Sequence, residues 1–359
     1  MFITDEIELS RLSYPVYTET ALSNALFFDI ETSGVSFTRS HITVIGAACL
    51  SGGNMRFFQW FADTPGSEGG ILQDFLKFAE SFDTLVTYNG TGFDLPYIKR
   101  RIRLYFPGCT VFENMDHIDL FKYSKPFADL FRLPDRKLKT IEEGLFLSRD
   151  DRVSGADCIA LYRGFLSTGD AAMRDLILLH NREDVLDLAD VMHIIPYVQI
   201  RDGAFEATGW SAGQDTLEIN CILEHPVPRP VDMDDPQYNV KIRDDSMTVL
   251  FKGSFCEKKL FRKDYRNYYY LKNEDCAVHK SVGQFIAKDS REPAKASTCY
   301  ERCRDIFFAQ PEPVITPDFR DDYRDKTSCF RLKEASGPDA ETLHDLCQSV
   351  ISKRVFGRK

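Results

Sequence analysis

The 359-residue chain has no apolar run approaching the roughly 18 residues that a membrane-spanning helix needs. Its opening, M-F-I-T-D-E-I-E-L-S, lacks the basic and apolar regions of a signal peptide. The expectation is a soluble, cytoplasmic protein with no membrane partner. A basic excess is missing too, since the formal net charge is -10. That balance argues against non-specific coating of DNA, while leaving room for a local basic track. Cysteine is plentiful at ten residues, but paired spacing is not. Cys299 and Cys303 form a C-x3-C with no second pair and no nearby His-x3-His, so small buried, reduced thiols are favoured over a zinc site or a disulfide framework. No internal repeat is visible.

What the chain does hold is apolar and aromatic material, 43% and 13% of its residues. That suffices for a globular protein, and the length suits two domains better than one. The boundary is expected near residue 200, giving domains 1–200 and 201–359. Residues 1–200 carry 19 Lys and Arg against 28 Asp and Glu, whereas 201–359 carry 26 against 27, so the acid excess belongs to the first half. Past the boundary, Pro226-Val227-Pro228-Arg229-Pro230 reads as a linker or stiff loop. β-like runs follow at Tyr238 to Arg243 and Met247 to Lys252, around a D-D-S turn. Lys258, Lys259, Arg262, Lys263 and Arg266 then alternate with Phe261, Tyr265, Tyr268, Tyr269 and Tyr270. Such a mixture fits a nucleic-acid track, in which bases stack and phosphates pair, or a plain strand with surface lysines. The stretch Glu341 to Val355 reads as a final amphipathic helix.

In the first half, A-L-F-F-D-I-E at residues 25–31 runs four apolar residues into two carboxylates spaced i, i+2. A strand covered on both faces would show such an unbroken run, and its period of two points Asp29 and Glu31 the same way. The alternative is two acids solvated just past the strand. His41 to Leu50 and Met55 to Phe61 continue as an antiparallel meander around the Ser51–Asn54 turn, and a short strand is expected near Tyr14 to Tyr17. Ile71 to Phe82 has helical spacing, and Thr84 to Tyr88 returns to strand. In Y-N-G-T-G-F-D-L-P-Y-I, residues 88–98, a tight loop opens a helix. Asp94 falls in its first turn, where the helix dipole favours an ionised carboxylate, as an ordinary cap or as part of a site. Asp119 sits in H-I-D-L-F; Leu138 to Phe146 and Gly155 to Leu166 read as helices. From Ala171 the pattern is strongly helical, with Met173, Leu176, Ile177, Val185, Leu188 and Met192 as a buried stripe. His180 and Asp184, four apart, share a face within it. A satisfied structural histidine is the plain alternative.

Four separate positions thus offer carboxylates: Asp29, Glu31, Asp94 and Asp184. The segments F-D-I-E-T, Y-N-G-T-G-F-D-L-P-Y-I and H-N-R-E-D-V resemble, in order and over residues 25–195, the three exonuclease motifs of the DEDD or DnaQ-like 3′–5′ exonuclease superfamily, and within it the YprB type. The resemblance implies an α/β, ribonuclease H-like mixed sheet flanked by helices, with a smaller β-rich α+β region after it. It further implies that Asp29 bridges two divalent cations, Mg²⁺ or Mn²⁺, that Glu31 and Asp184 help hold the first, and that Asp94 serves the second, partly through water. The expected activity is metal-dependent 3′–5′ hydrolysis of single-stranded RNA or DNA ends. A non-catalytic nucleic-acid-binding module on the same fold, or a ribonuclease H-like endonuclease, is the alternative. The chemistry independently wants oxygen-rich ligands, since two hard cations about 4 Å apart can activate a water and neutralise the leaving oxygen. In one respect the chain departs from the family pattern. Members with a histidine general base place it five residues before the last Asp, and those with tyrosine four; His180 has the tyrosine spacing. It is a candidate base or water-positioning residue.

Overall fold

The structure is a computed structural model that describes residues 2–8, 24–51, 54–333 and 338–357. The expected strand at Tyr14 to Tyr17 and the tip of the Ser51–Asn54 turn lie outside the described residues. The chain divides into two compact units, 1–198 and 199–359.

The first unit is built on a six-stranded mixed sheet in the order β1-β4-β3-β2-β5-β6. These strands are β1 (Phe2–Glu8), β2 (Ala25–Thr32), β3 (Ile42–Ser51), β4 (Asn54–Phe61), β5 (Thr84–Thr87) and β6 (Asp116–Asp119). β2, β3 and β4 pair antiparallel as the meander expectation has it, β1 adds an unexpected antiparallel strand beside β4, and β5 and β6 run parallel to β2. Helices cover both faces, which explains why β2 could be apolar without interruption. On one face Leu26, Phe28 and Ile30 pack with Ile71, Leu72 and Phe75 of the Glu68–Ala79 helix and with Tyr97 and Ile98 of the Asp94–Tyr105 helix. Phe28 stacks on Phe75 at 5.2 Å between ring centroids, and burying such a ring contributes about 1.5–3 kcal/mol. On the other face Val44 and Phe61 meet Cys158 and Tyr162 of the Gly155–Thr168 helix and Ile177 and Leu178 of the Ala171–Val191 helix.

The long helix departs from the expected stripe. Leu176 is 43% exposed, whereas His180 and Asn181 are buried. Polar residues face the sheet because partners await them: the Gln59 amide donates to the Leu178 carbonyl at 3.0 Å and to Asn181 Oδ1 at 2.8 Å. Gly46 of β3 permits the approach, since a Cβ there would lie 2.2 Å from Asn181 Oδ1 and 2.8 Å from a Val185 methyl.

The second unit is β-rich with a terminal helix. β7 (Phe205–Ala212), β8 (Thr216–Asp234) and β9 (Tyr238–Lys252) form one sheet; β10 (Ser254–Phe261), β14 (Tyr300–Gln310) and β15 (Ser328–Arg331) form a second; β11 (Tyr268–Leu271), β12 (Cys276–His279) and β13 (Arg291–Pro293) form a third. Two expectations change here. The proline-rich stretch is no linker: Pro226 to Pro230 lies within β8, where the pairing with β9 slips between Ile222 and Val231. Proline has no N–H for a ladder, and irregular pairing is where a strand tolerates it. The D-D-S stretch does not end a strand either, because β9 continues through it with Asp244 at φ 51°. The Ala340–Val350 helix buries Leu343, Leu346, Cys347 and Val350. All ten cysteines are free thiols.

Candidate active site

Asp29 and Glu31 alternate with Leu26, Phe28 and Ile30 along β2, so they project from the face that the Ala171–Val191 helix covers. Carboxylate oxygens of Asp29, Glu31 and Asp184 all lie within 4.8 Å of one another, a group able to hold a metal ion. Each is placed by an identifiable contact. The Asn181 amide donates to Asp29 Oδ2 at 2.9 Å and to the Asp29 carbonyl at 3.3 Å, and Asn181 is itself fixed by Gln59. Asp184 lies one turn after His180 on the same helix and accepts a hydrogen bond from the Arg149 guanidinium.

Asp94 is the first residue of its helix and 95% buried. The loop before it is held by Asp119, whose carboxylate accepts from the backbone N–H of Asn89 at 2.8 Å and of Thr91 at 3.0 Å. Asn89 sits at φ 61°, a left-handed conformation that asparagine tolerates. Asp94 falls outside the group of three, yet it is close enough to raise the proton affinity of both Asp29 and Glu31.

Burial is the main force on these acids. It pushes Asp29 well above the usual carboxylate range, and Asp94, Asp184 and Glu31 push it further; the Asn181 hydrogen bond opposes. Glu31 is raised likewise by burial, then by Asp184, Asp94 and Asp151. Asp94 rises to about 7 through burial, although backbone N–H groups, including that of Ile30, pull it down. At Asp94, desolvation thus outweighs the helix terminus that favours its ionised form.

His180 is 5% exposed and linked to the cluster on both sides of its ring. Its Nδ1 lies 2.7 Å from Asp151 Oδ2, and its Nε2 lies 3.5 Å from Glu31 Oε1 and 3.7 Å from Asp184 Oδ2. Burial alone would raise Asp151, but hydrogen bonds from His180 and Lys139 hold it at about 2. The carboxylate 2.7 Å from Nδ1 makes that nitrogen a donor and turns Nε2 toward Glu31 and Asp184. Asp151 arrives on the loop after the Leu138–Gly144 helix, which Glu183 clasps by accepting from the N–H groups of Asp150 at 3.0 Å and Asp151 at 2.9 Å. Arg149 on that loop also reaches Glu142 at 3.1 Å and Glu183 at 3.4 Å.

Sequence reasoning missed Asp151, Arg149 and the role of Asn181. H-N-R-E-D carried a partial signal, since each of its polar residues except Arg182 serves this site. Nothing local marks Asp151, whose partner lies 29 residues away. Cys299 is buried and Cys303 half-buried; among the described residues neither joins a group of three metal ligands.

Beside Asp29 and Asp184 opens a cleft of about 580 Å³, walled by Tyr88, Asn89, Phe121, Arg136 and Lys137. The Arg136 guanidinium lies over the Phe121 ring at 4.3 Å, and the Tyr88 hydroxyl donates to the Arg136 carbonyl at 2.6 Å. The cleft thus sets an aromatic wall carrying Arg136, Lys137 and the Asp135 carboxylate, 3.5 Å from Lys137, against the acidic one.

Residues 26–195 match the model of the RNase_H superfamily. A 168-residue stretch is 29% identical to the uncharacterized protein YprB of Bacillus subtilis (strain 168), which is 46% of this chain and 40% of that relative. The chain therefore spans about two fifths of the length of this curated relative. Among solved structures, the family B DNA polymerase of Pyrobaculum calidifontis superposes with a TM-score of 0.34 at 19% identity, over 49% of this chain and 24% of the polymerase. Escherichia coli exonuclease I in complex with a dA13 oligonucleotide superposes at 0.29 and 11% identity, over 93% and 74%. At such scores neither bears on substrate or direction. Among the described residues no helix is long and apolar enough to cross a membrane.

Proposed function

Residues 26–195 form a ribonuclease H-like domain, and from that premise we propose that the protein is a metal-dependent 3′–5′ exonuclease acting on single-stranded nucleic acid ends by a two-metal mechanism. The observation that carries this reading is the convergence of Asp29, Glu31 and Asp184 on one point, with Asp94 beside them and His180 aimed at them by Asp151.

The donor set fits Mg²⁺ or Mn²⁺. Its ligands are hard carboxylate oxygens, and the acids are destabilised by burial and by one another, a penalty that cations remove. When bound, two such ions would supply a water made acidic enough to attack and a counter-charge for the leaving 3′ oxygen. The chain's own residues do the remainder. Asp29, held by Asn181, would hold the ions together with Glu31, Asp184 and Asp94. His180 would accept the proton of the attacking water at Nε2, with Asp151 stabilising the imidazolium through Nδ1. Phe121 and Tyr88 would stack against the terminal base while Arg136 and Lys137 meet phosphates in the cleft. In this reading residues 1–200 are the catalytic domain, and 201–359 contribute substrate affinity.

The test is incubation with Mn²⁺ and 5′-labelled single strands of RNA and of DNA, followed by product sizing. A labelled ladder that shortens stepwise from the 3′ end is expected. Internal cuts from the first time points would instead identify an endonuclease, and binding without cleavage in any divalent metal would identify a non-catalytic module.

A further inference from the structure

The three-carboxylate group is not the sole ligand-like cluster in the first unit. Glu31, Cys158 and His180 also bring ligand atoms within 4.8 Å of one another, all three residues buried. The two clusters share Glu31 but differ in chemistry. Asp29, Glu31 and Asp184 present only oxygens, whereas the second cluster joins oxygen, nitrogen and sulfur, a donor set that selects zinc over magnesium.

Two further observations make this more than a cysteine near a histidine. His180 Nε2 and Glu31 Oε1 are 3.5 Å apart, close to the edge of about 3.3 Å in a tetrahedron with bonds of about 2.0 Å. The Asp151 carboxylate at 2.7 Å from Nδ1 completes the carboxylate–histidine arrangement that orients imidazoles toward metals. The thiol lies within 4.8 Å of both other ligand atoms, and a bound metal would draw it toward a nitrogen–sulfur edge of about 3.5 Å. Cys158 sits in the first turns of its helix, whose start is locked by a capping box between Ser154 and Asp157.

We propose that Glu31, Cys158 and His180 form a zinc site with water in the fourth position, and that its occupation shuts the nuclease off. Zinc binding displaces the Cys158 thiol proton to solvent, takes Glu31 from the hard-ion site and occupies the Nε2 lone pair. The site stands without the exonuclease reading; only its inhibitory consequence rests on that reading.

Cobalt(II), which replaces zinc and reports thiolate ligation by a sulfur-to-metal charge-transfer absorption, is the probe. Titrated into the reduced full-length chain, it should produce that band at one thiolate per protein, and equimolar Zn²⁺ should bleach it. The band should vanish in Cys158→Ser and persist in Cys299→Ser. Asp151→Asn, which keeps all three ligands, should weaken cobalt binding about 10–100-fold, and this readout holds even if Cys158→Ser does not fold. With Mn²⁺ as activator, zinc should inhibit wild type, and the zinc needed for half-inhibition should rise at least about tenfold in Asp151→Asn, each variant compared with its own zinc-free rate. No charge-transfer band in wild type, a band that survives Cys158→Ser, or unchanged cobalt affinity in Asp151→Asn would overturn the site. A band without zinc inhibition of an active enzyme would overturn its inhibitory role. A protein that shows the band yet cleaves nothing would lose the exonuclease reading and keep the zinc site.

Discussion

Glu68 and the Asp29 cluster are both buried acids in the same unit, and they solve the cost of burial in opposite ways. Glu68 is fully buried, and its carboxylate accepts from Arg101 Nε at 2.7 Å, the Tyr105 hydroxyl at 2.9 Å and the Ile42 N–H at 2.8 Å. The charge is matched in place, and the contacts fasten two helices to β3. Asp29 has the Asn181 amide, while Asp94, Asp184 and Glu31 press on it as like charges. Arg149, the guanidinium that reaches Asp184, is shared with Glu142 and Glu183. A matched buried charge is a fastener. An unmatched set of carboxylates is left to take up protons or cations, either of which removes the repulsion.

The largest effect should come from Asp29→Ala. Cleavage should be abolished, a loss beyond about 10⁴-fold or about 5.4 kcal/mol of transition-state stabilisation, while the metal-free melting temperature holds or rises as repulsion is relieved. Retained turnover above about one tenth of wild type would break the assignment. His180→Ala comes next, with a loss of about 10²–10⁴-fold in kcat at saturating metal if Nε2 takes the proton. A variant keeping more than a third of wild-type kcat would reduce His180 to a packed residue; recovery in His180→Tyr would make it a water-positioning residue. At the matched pair the signs reverse: Arg101→Met should cost about 3–5 kcal/mol of stability by stranding Glu68, equally with and without metal. Denaturant unfolding in EDTA and in Mn²⁺ tests this, and a metal-dependent loss would erase the contrast.

Stability against pH sharpens it further. In the unfolded chain these carboxyls release protons near 3.8 for Asp and 4.5 for Glu, whereas in the metal-free fold Asp94 holds its proton to about 7, and Asp29 and Glu31 are raised well above the ordinary range. The fold then binds more protons than the unfolded chain, so stability present below about pH 4 is lost as pH climbs toward 7. Asp151 acts oppositely: held at about 2, it contributes above about pH 4 and fails as pH falls through 2. Metal-free melting temperatures should decline from pH 4.5 to 7.5, and Mn²⁺ should flatten or invert the trend. A metal-free protein more stable at 7.5 than at 4.5 would contradict an unmatched cluster.

How much of this was legible beforehand depends on the reach of each interaction. The shared face of Asp29 and Glu31 follows from the period of a strand, and the stacking of His180 over Asp184 from the period of a helix; both rules act within a few residues. Two helix starts, at Gly155 and Ala171, were legible at the same short range, and the structure caps them with Ser154 and with Asp170, which accepts from the Ala172 N–H at 2.9 Å. Asp151 was invisible, because its meeting with His180 depends on the path of a loop that Glu183 clasps from another helix. The misread Pro226–Pro230 stretch and the exposed Leu176 share a cause. Composition suggests a linker and periodicity a stripe, but the partner strand or facing side chain decides, and here a bulged ladder and the Gln59–Asn181 pair decided otherwise.

The smallest effect concerns the basic and aromatic segment of the second unit, where the same distinction between matched and unmatched charge applies at the surface. Lys258 pairs with Asp321 at 2.6 Å, Lys259 lies over Tyr300 at 4.6 Å, and Arg262 pairs with Glu301 at 2.9 Å. These cations are engaged within the unit, and replacing them would test packing as much as substrate binding. Lys263 and Arg266 are exposed, with Arg266 resting over Tyr265 at 5.9 Å. They are the cleaner probes of a phosphate track. Each phosphate contact on a single strand adds about 0.7 to the slope of log K against log salt, so Lys263→Gln with Arg266→Gln should flatten the slope by about 1.4. KM should rise and kcat stay level, because neither residue belongs to the carboxylate cluster. The segment is no single strand, since Lys263 and Arg266 fall in the connection between β10 and β11; a slope unchanged within about 0.3 would make them plain surface charges and leave substrate affinity to the cleft beside Asp29.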